Sequence, residues 1–170
     1  GNPAGMDRAE LLGAGDAVVP ANQSRMCGAL AGVEGMVHVQ GVDGTRGIAF
    51  KDCHRLTGDA PQRDNQLAGG ELITAIELPR SHFASHYRYL KIRDRASYAF
   101  ALVSVAAALR LDGGRIQEAR LALGGVAHKP WRDAGAEEAL RGQVVSEALF
   151  PQVARSILEH AEPLSHNAFK

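Results

Sequence analysis

The sequence has little of what usually announces chemistry on its own. It contains two cysteines, Cys27 and Cys53, and neither sits in a CxxC pair. Two thiols cannot ligate a four-cysteine iron–sulfur cluster, and no histidine spacing completes a zinc site with them. They read as free structural thiols, since a disulfide requires an oxidising compartment. There is no excess of either charge: 19 basic and 19 acidic side chains leave a formal net charge of +0. That balance supplies no electrostatic drive toward nucleic acid or an acidic membrane surface. No apolar run approaches the ~18 residues of a transmembrane helix. Residues Gly1 to Glu10 have neither the basic start nor the apolar stretch of a signal peptide. G-x-S-x-G, the P-loop and HExxH are all absent, and Gly124-Gly125 does not stand between a strand and a helix as a dinucleotide fingerprint requires. The seven histidines are scattered; His38 in a strand, His54 in a turn and His128 at a corner read as surface or packed residues.

What is present is a foldable chain. At 170 residues and 45% apolar content it suits one ordinary domain or two small ones with a packed core. Residues 1–23 show no period and read as loop. Ser24 caps a short helix through Leu30. Met36–Gln40 and Thr45–Phe50 alternate around Val42-Asp43-Gly44, a β-hairpin, and Lys51–Leu56 suits one helical turn. Thr57–Gly70 is a polar loop. Glu71–Leu78 is a strand stopped by Pro79, and the polar joint Arg80–Ser85 makes this the best domain boundary. Three further strands are expected, Tyr87–Arg93, Tyr98–Leu111 and Arg115–Leu123, with Asp112-Gly113-Gly114 turning the last two into a hairpin. A helix over Trp131–Arg141, started by Pro130 and ended by Gly142, and a second helical region from Ser146 follow. Sheet first and helices after is an α+β order.

The densest charged stretch is Lys91-Ile92-Arg93-Asp94-Arg95. A solvated strand end with weak local ion pairs is the commoner reading of such a cluster. An anion site, in which Lys91 and Arg93 meet phosphate or carboxylate, is the other.

Three strings go beyond pattern. Tyr89-Leu90-Lys91-Ile92-Arg93-Asp94-Arg95-Ala96-Ser97-Tyr98-Ala99 runs into Phe100-Ala101-Leu102-Val103-Ser104-Val105-Ala106. Ala122-Leu123-Gly124-Gly125-Val126-Ala127-His128-Lys129-Pro130-Trp131-Arg132 and Pro163-Leu164-Ser165-His166-Asn167-Ala168-Phe169-Lys170 follow in order. This series resembles the carboxy-terminal domain of the FAD-binding subunit of molybdenum hydroxylases of the xanthine/aldehyde dehydrogenase family, nearest the bacterial periplasmic aldehyde dehydrogenase branch. Gly70-Glu71-Leu72-Ile73-Thr74-Ala75-Ile76-Glu77-Leu78-Pro79 resembles the last strand of that family's FAD-binding domain, and Gly35 to Arg55 the hairpin and short helix before it.

The resemblance implies an α+β fold in which residues 1–80 are the remnant of the second lobe of a two-lobed FAD-binding domain. Residues 81–170 are then a small antiparallel sheet packed with carboxy-terminal helices. It implies FAD as cofactor, with Ile73 packing near it and Lys91 contacting it across the domain junction, and the loop from Ile92 to Tyr98 bordering the flavin ring. The family's Ser-Asp-Met stands here as Ser24-Arg25-Met26, a reversal of charge. The two glycine-rich loops that hold the FAD pyrophosphate in the family have no counterpart in residues 1–170. The implied function is the relay of electrons from iron–sulfur clusters through FAD to an external acceptor. The implied partners are a molybdopterin-binding large subunit and a two-iron iron–sulfur small subunit, in the cytoplasm or periplasm, with no nucleic acid and no membrane insertion. No residue is expected to act as acid, base or metal ligand, and the isolated chain is expected to bind FAD weakly and to be inactive. The competing expectation is a truncated, FAD-free interaction module.

Overall fold

A computed structural model describes residues 11–12, 22, 24–56, 58, 60, 62–80, 82–83, 85–164 and 167–170. Most of the loop expected over 1–23 lies outside the described residues. Helix α1 (Arg25–Gly32) begins where Ser24 caps it: the Ser24 hydroxyl accepts from the Cys27 N–H at 3.3 Å. It ends as Glu34 turns to φ 57°, and the Gly35 N–H returns to the Leu30 carbonyl. Strands β1 (Met36–Gly41) and β2 (Gly44–Ala49) form the expected hairpin, with Gly44 at φ 116° in its turn. One helical turn, α2 (Phe50–Cys53), follows. Strand β3 (Leu72–Glu77) then pairs antiparallel with the other edge of β1, giving the order β2-β1-β3. The β1–β3 register slips between His38 and Val39. Thr74 is the extra residue there, and its hydroxyl donates to the His38 carbonyl at 3.2 Å.

The second sheet runs β4 (Tyr87–Ile92), β5 (Val103–Asp112), β6 (Arg115–Gly124) and β7 (Trp131–Arg132), all antiparallel and in that order. Asp112 pairs with Arg115 across Gly113 and Gly114, both at positive φ (53° and 78°), the primed turn that suits strand twist. Helix α3 (Ala134–Ala139) starts at Asp133, whose carboxylate accepts from the Ala136 N–H at 2.9 Å. Helix α4 (Leu149–Ile157) carries Pro151 in its first turn, where a missing N–H costs nothing. Ile116 and Ala119 of β6 pack against Ala136, Leu140, Val153 and Ile157, so both helices cover this sheet as expected. Fully buried Ile116 and Leu140 each contribute about 1.5–3 kcal/mol of apolar burial.

Two expectations need correction. Trp131 and Arg132 do not open a helix: they pair with Leu123 and Ala122 as β7, and the helix waits for the Asp133 cap. The strand expected from Tyr98 begins at Val103, because residues 93–102 form a loop that folds back on β4.

The sheets are joined by α1. Leu30 and Ala31 pack with Val37, Val39, Ile48, Phe50 and Cys53 on one side and with Ala122 of β6 on the other. Leu11 and Leu12 pack on Val126 and Ala127, and both of their N–H groups reach the Val126 carbonyl. Among the described residues no helix is long and apolar enough to cross a membrane, and no group of acidic, histidine and cysteine side chains is set to hold a metal.

Candidate functional site

Lys91 sits near the end of edge strand β4, and its ammonium turns back over the loop to donate to the Ala99 carbonyl at 2.5 Å. The same loop is tied a second time: Arg95 donates from Nε to the Tyr98 carbonyl at 3.1 Å, and from Nη2 to the same oxygen. Two cations of the charged cluster read from sequence, Lys91 and Arg95, thus satisfy carbonyls that a ten-residue loop would otherwise leave open.

Held this way, Tyr98 adopts φ 52°, a left-handed conformation that is costly for an aromatic residue. Its ring is 95% exposed, beneath the Arg95 guanidinium at 5.9 Å, and the neighbouring Phe100 ring is also exposed. Tyr98, Ala99 and Phe100 line, with Asp94 and Arg95, a cleft of about 540 Å³. The strained loop thus leaves the Tyr98 and Phe100 rings exposed in one cleft. This cleft was only partly legible: the loop was expected to border a ring, but Tyr98 was placed in a strand. Ser97 and Ala99 around an aromatic give no local sign of positive φ.

Burial, and the charges of Arg25 and Arg93 beside it, hold the Lys91 ammonium below its ordinary value. The structure thus brings Arg25, at the start of α1, into electrostatic range of Lys91. Three cations gather at this corner. Ile73 is placed differently. It lies in β3, in the other sheet, half-exposed next to the Thr74 bulge, and its neighbours Leu72, Ile76 and Leu78 are exposed as well. The packing that joins the two sheets runs through α1.

Sequence reasoning missed the device that fixes α1 in place. Arg132 donates from Nε to Glu137 Oε1 at 2.9 Å and from Nη2 to Oε2 at 2.5 Å; its Nη1 donates to Glu34 Oε1 at 3.0 Å and to the Ala31 carbonyl at 3.1 Å. Arg120 donates to the second Glu34 oxygen at 3.0 Å. Burial works to raise the Glu34 carboxyl, but Arg132 and Arg120 outweigh it and hold it below its ordinary value. Burial opposes the Arg132 charge in the same way, and Glu137 and Glu34 raise it. The end of α1 is clamped to the second sheet, and Arg25 at its start is thereby set near Lys91. The glycines at the end of β6 tighten the same junction: a Cβ on Gly125, at φ +79°, would stand 2.7 Å from the Leu102 carbonyl.

Residues 86–169 match the family described as the CO dehydrogenase flavoprotein C-terminal domain. Over 163 residues the chain is 39% identical to the aldehyde oxidoreductase FAD-binding subunit PaoB of Escherichia coli (strain K12), covering 94% of this chain and 47% of that protein. Over 98 residues it is 36% identical to the glyceraldehyde dehydrogenase medium chain of Sulfolobus acidocaldarius, covering 56% and 34%. Its fold is similar to the crystal structure of quinoline 2-oxidoreductase from Pseudomonas putida 86, with a TM-score of 0.69 and 25% identity over 96% of this chain and 51% of that one. The chain spans half or less of the length of the curated relatives it matches.

Proposed function

We propose, for a chain that belongs to the family of FAD-binding subunits of the molybdenum hydroxylases, that it supplies one wall of an FAD site within a larger oxidoreductase. The observation that carries this reading is the strained, aromatic cleft of residues 94–100, pinned from behind by Lys91. Its residues fit the cofactor. Exposed Tyr98 and Phe100 offer faces for a planar ring system, and Lys91, Arg25 and Arg93 supply positive charge for a diphosphate. A cleft of about 540 Å³ is within the ordinary range of cofactor pockets. FAD held there would supply the redox chemistry, linking iron–sulfur clusters to an external acceptor; the protein's part would be to hold, orient and tune it.

Lys91 acts on the cofactor through charge and also positions the loop through Ala99; it transfers no proton. Ile73 offers an apolar contact from β3. We divide the chain at residue 80: residues 1–80 belong to the FAD-binding domain, and residues 81–170 form the flavoprotein carboxy-terminal domain. The partners in this reading are a molybdopterin-binding large subunit and a two-iron iron–sulfur small subunit, assembled in the cytoplasm or periplasm. The substrate oxidised at molybdenum does not enter this cleft.

A second reading, an FAD-free interaction module, draws on β3, whose apolar side chains are exposed and whose outer edge is unpaired among the described residues. Purification of the chain with its partner subunits separates the two. Flavin absorbance that copurifies with the complex and is lost in Lys91→Ala supports the FAD wall. A colourless complex that assembles normally overturns it in favour of the module.

A further inference from the structure

The two cysteines, which the flavin reading leaves unused, are neighbours in space. Cys27, in the first turn of α1, and Cys53, the last residue of α2, belong to one packed cluster, and both are free thiols. Cys27 is half-buried, whereas Cys53 is only 5% exposed. The Cys27 sulfur lies 3.8 Å from Nε2 of His54, the residue that follows Cys53 in the chain. The His54 ring stacks obliquely on Phe50, centroids 5.4 Å apart, which holds it in place. Its other nitrogen, Nδ1, is buried without a partner, so the ring's polar contact is made through Nε2 toward sulfur.

We propose that Cys27 is a hydroperoxide-sensitive modification site, activated by His54 and resolved by Cys53 as an intrachain disulfide. The inference stands on this cluster alone and is independent of FAD binding. In the first step the Cys27 proton passes to His54 Nε2 and the sulfur attacks one oxygen of the hydroperoxide. An S–O bond forms, the O–O bond breaks, and the departing alkoxide or hydroxide leaves with the proton as alcohol or water. Cys27 is oxidised to the sulfenic acid and the peroxide is reduced. In the second step the Cys53 sulfur attacks the Cys27 sulfur. An S–S bond forms, the S–O bond breaks, and the hydroxyl leaves with the Cys53 proton as water.

The surroundings suit this division of labour. Burial lowers the His54 pKa, opposed by Asp64 and helped by His128 and Lys129, which favours the neutral imidazole, the form with a ring lone pair that Nε2 can turn toward the Cys27 thiol. Burial, and then the nearby Cys27, raise the Cys53 thiol, so Cys53 stays protonated and Cys27, the more accessible of the two, reacts first. The disulfide staples α1 to α2 and draws the two sulfurs to bonding distance, fixing the helix that joins the two sheets.

The test is to treat the reduced 170-residue chain with hydrogen peroxide and map its peptides by mass. The proposal expects a mass loss of two hydrogens and a single cross-link between Cys27 and Cys53. Cys53→Ser should instead accumulate a sulfenic acid at Cys27 that a cyclic dione traps. His54→Phe, which keeps the ring stack, should slow Cys27 oxidation by about a hundredfold, the low end of what a positioned base contributes. Circular dichroism confirms that each variant is folded. Wild-type alkylation rates for Cys27, native against denatured, give a measure that needs no variant: the proposal expects faster reaction in the native chain. Cys27 that reacts no faster when folded, an unchanged rate in His54→Phe, or trapped sulfenic acid with no cross-link in the wild type would each overturn it.

Discussion

Replacing Glu137 by alanine should destabilise the chain far more than any other carboxylate change. Glu137 is 7% exposed and accepts three hydrogen bonds, two from Arg132 and one from the Leu121 N–H at 2.8 Å. The substitution leaves a mostly buried guanidinium with only half-exposed Glu34 as counter-charge, and takes the Glu137 acceptor from a backbone N–H in β6. Breaking a buried pair from one side costs about 3–5 kcal/mol. The paired variant Arg132→Leu/Glu137→Leu removes both charges, so it should lose less than the sum of its two single changes, with a coupling of roughly 1–3 kcal/mol. Glu138→Ala, one residue along the same helix and in an exposed pair with Arg141, should cost no more than about 0.5 kcal/mol. Urea unfolding of the wild type, Glu137→Ala, Arg132→Leu, Glu137→Leu, the paired variant and Glu138→Ala measures all of this. A loss below about 1 kcal/mol in Glu137→Ala, or strict additivity in the pair, would refute the claim that this clamp holds α1 to the second sheet.

Gly125→Ala should cost more than about 2 kcal/mol in the same unfolding assay, because a left-handed φ is joined to a Cβ set 2.7 Å from the Leu102 carbonyl. Arg46, held by two short bonds to Glu71, and the Ala68 N–H keep the Glu71 carboxyl at about 2, against an ordinary 4.5. A depressed acid stabilises the fold above its ordinary value, and that contribution is lost as pH falls from 4.5 toward about 2. Carboxyl NMR should show a Glu71 midpoint near the lower end, and a midpoint at its ordinary value would contradict the pairing. Leu72→Lys on the open edge of β3 should reduce concentration-dependent light scattering and change unfolding stability by less than about 0.5 kcal/mol.

Local chemistry made much of the architecture legible. Ser24 caps α1, Gly113-Gly114 turns β5 into β6, and the alternation around Val42-Asp43-Gly44 closes the first hairpin, each a signal contained within a few residues. The strings around Lys91 and Gly124-Gly125 carried the family. What sequence left hidden depends on contacts far apart in the chain. Trp131 and Arg132 have a helix start signal in Pro130, but pairing with Leu123 and Ala122 overrides it. Tyr98 continues an apolar run that reads as strand, but Arg95 and Lys91 draw the backbone of residues 98 and 99 into a loop. The clamp of Glu34, Arg132 and Glu137 joins residues about a hundred positions apart, which no periodicity reports. Cys27 and His54 meet for the same reason.

The claim that this chain forms a wall of an FAD site is tested most directly by titrating isotope-labelled protein with FAD and following its amide NMR signals. In the proposed site the cations at this corner and an apolar contact from Ile73 would together supply roughly 2–4 kcal/mol, which corresponds to millimolar affinity or weaker for the chain alone. The account predicts shifts at millimolar FAD confined to Ile73, Lys91 and residues 94–100, with the aromatic cleft moving most, and their disappearance in Lys91→Ala. Shifts centred elsewhere, shifts that persist without Lys91, or no shifts at any accessible concentration would contradict it.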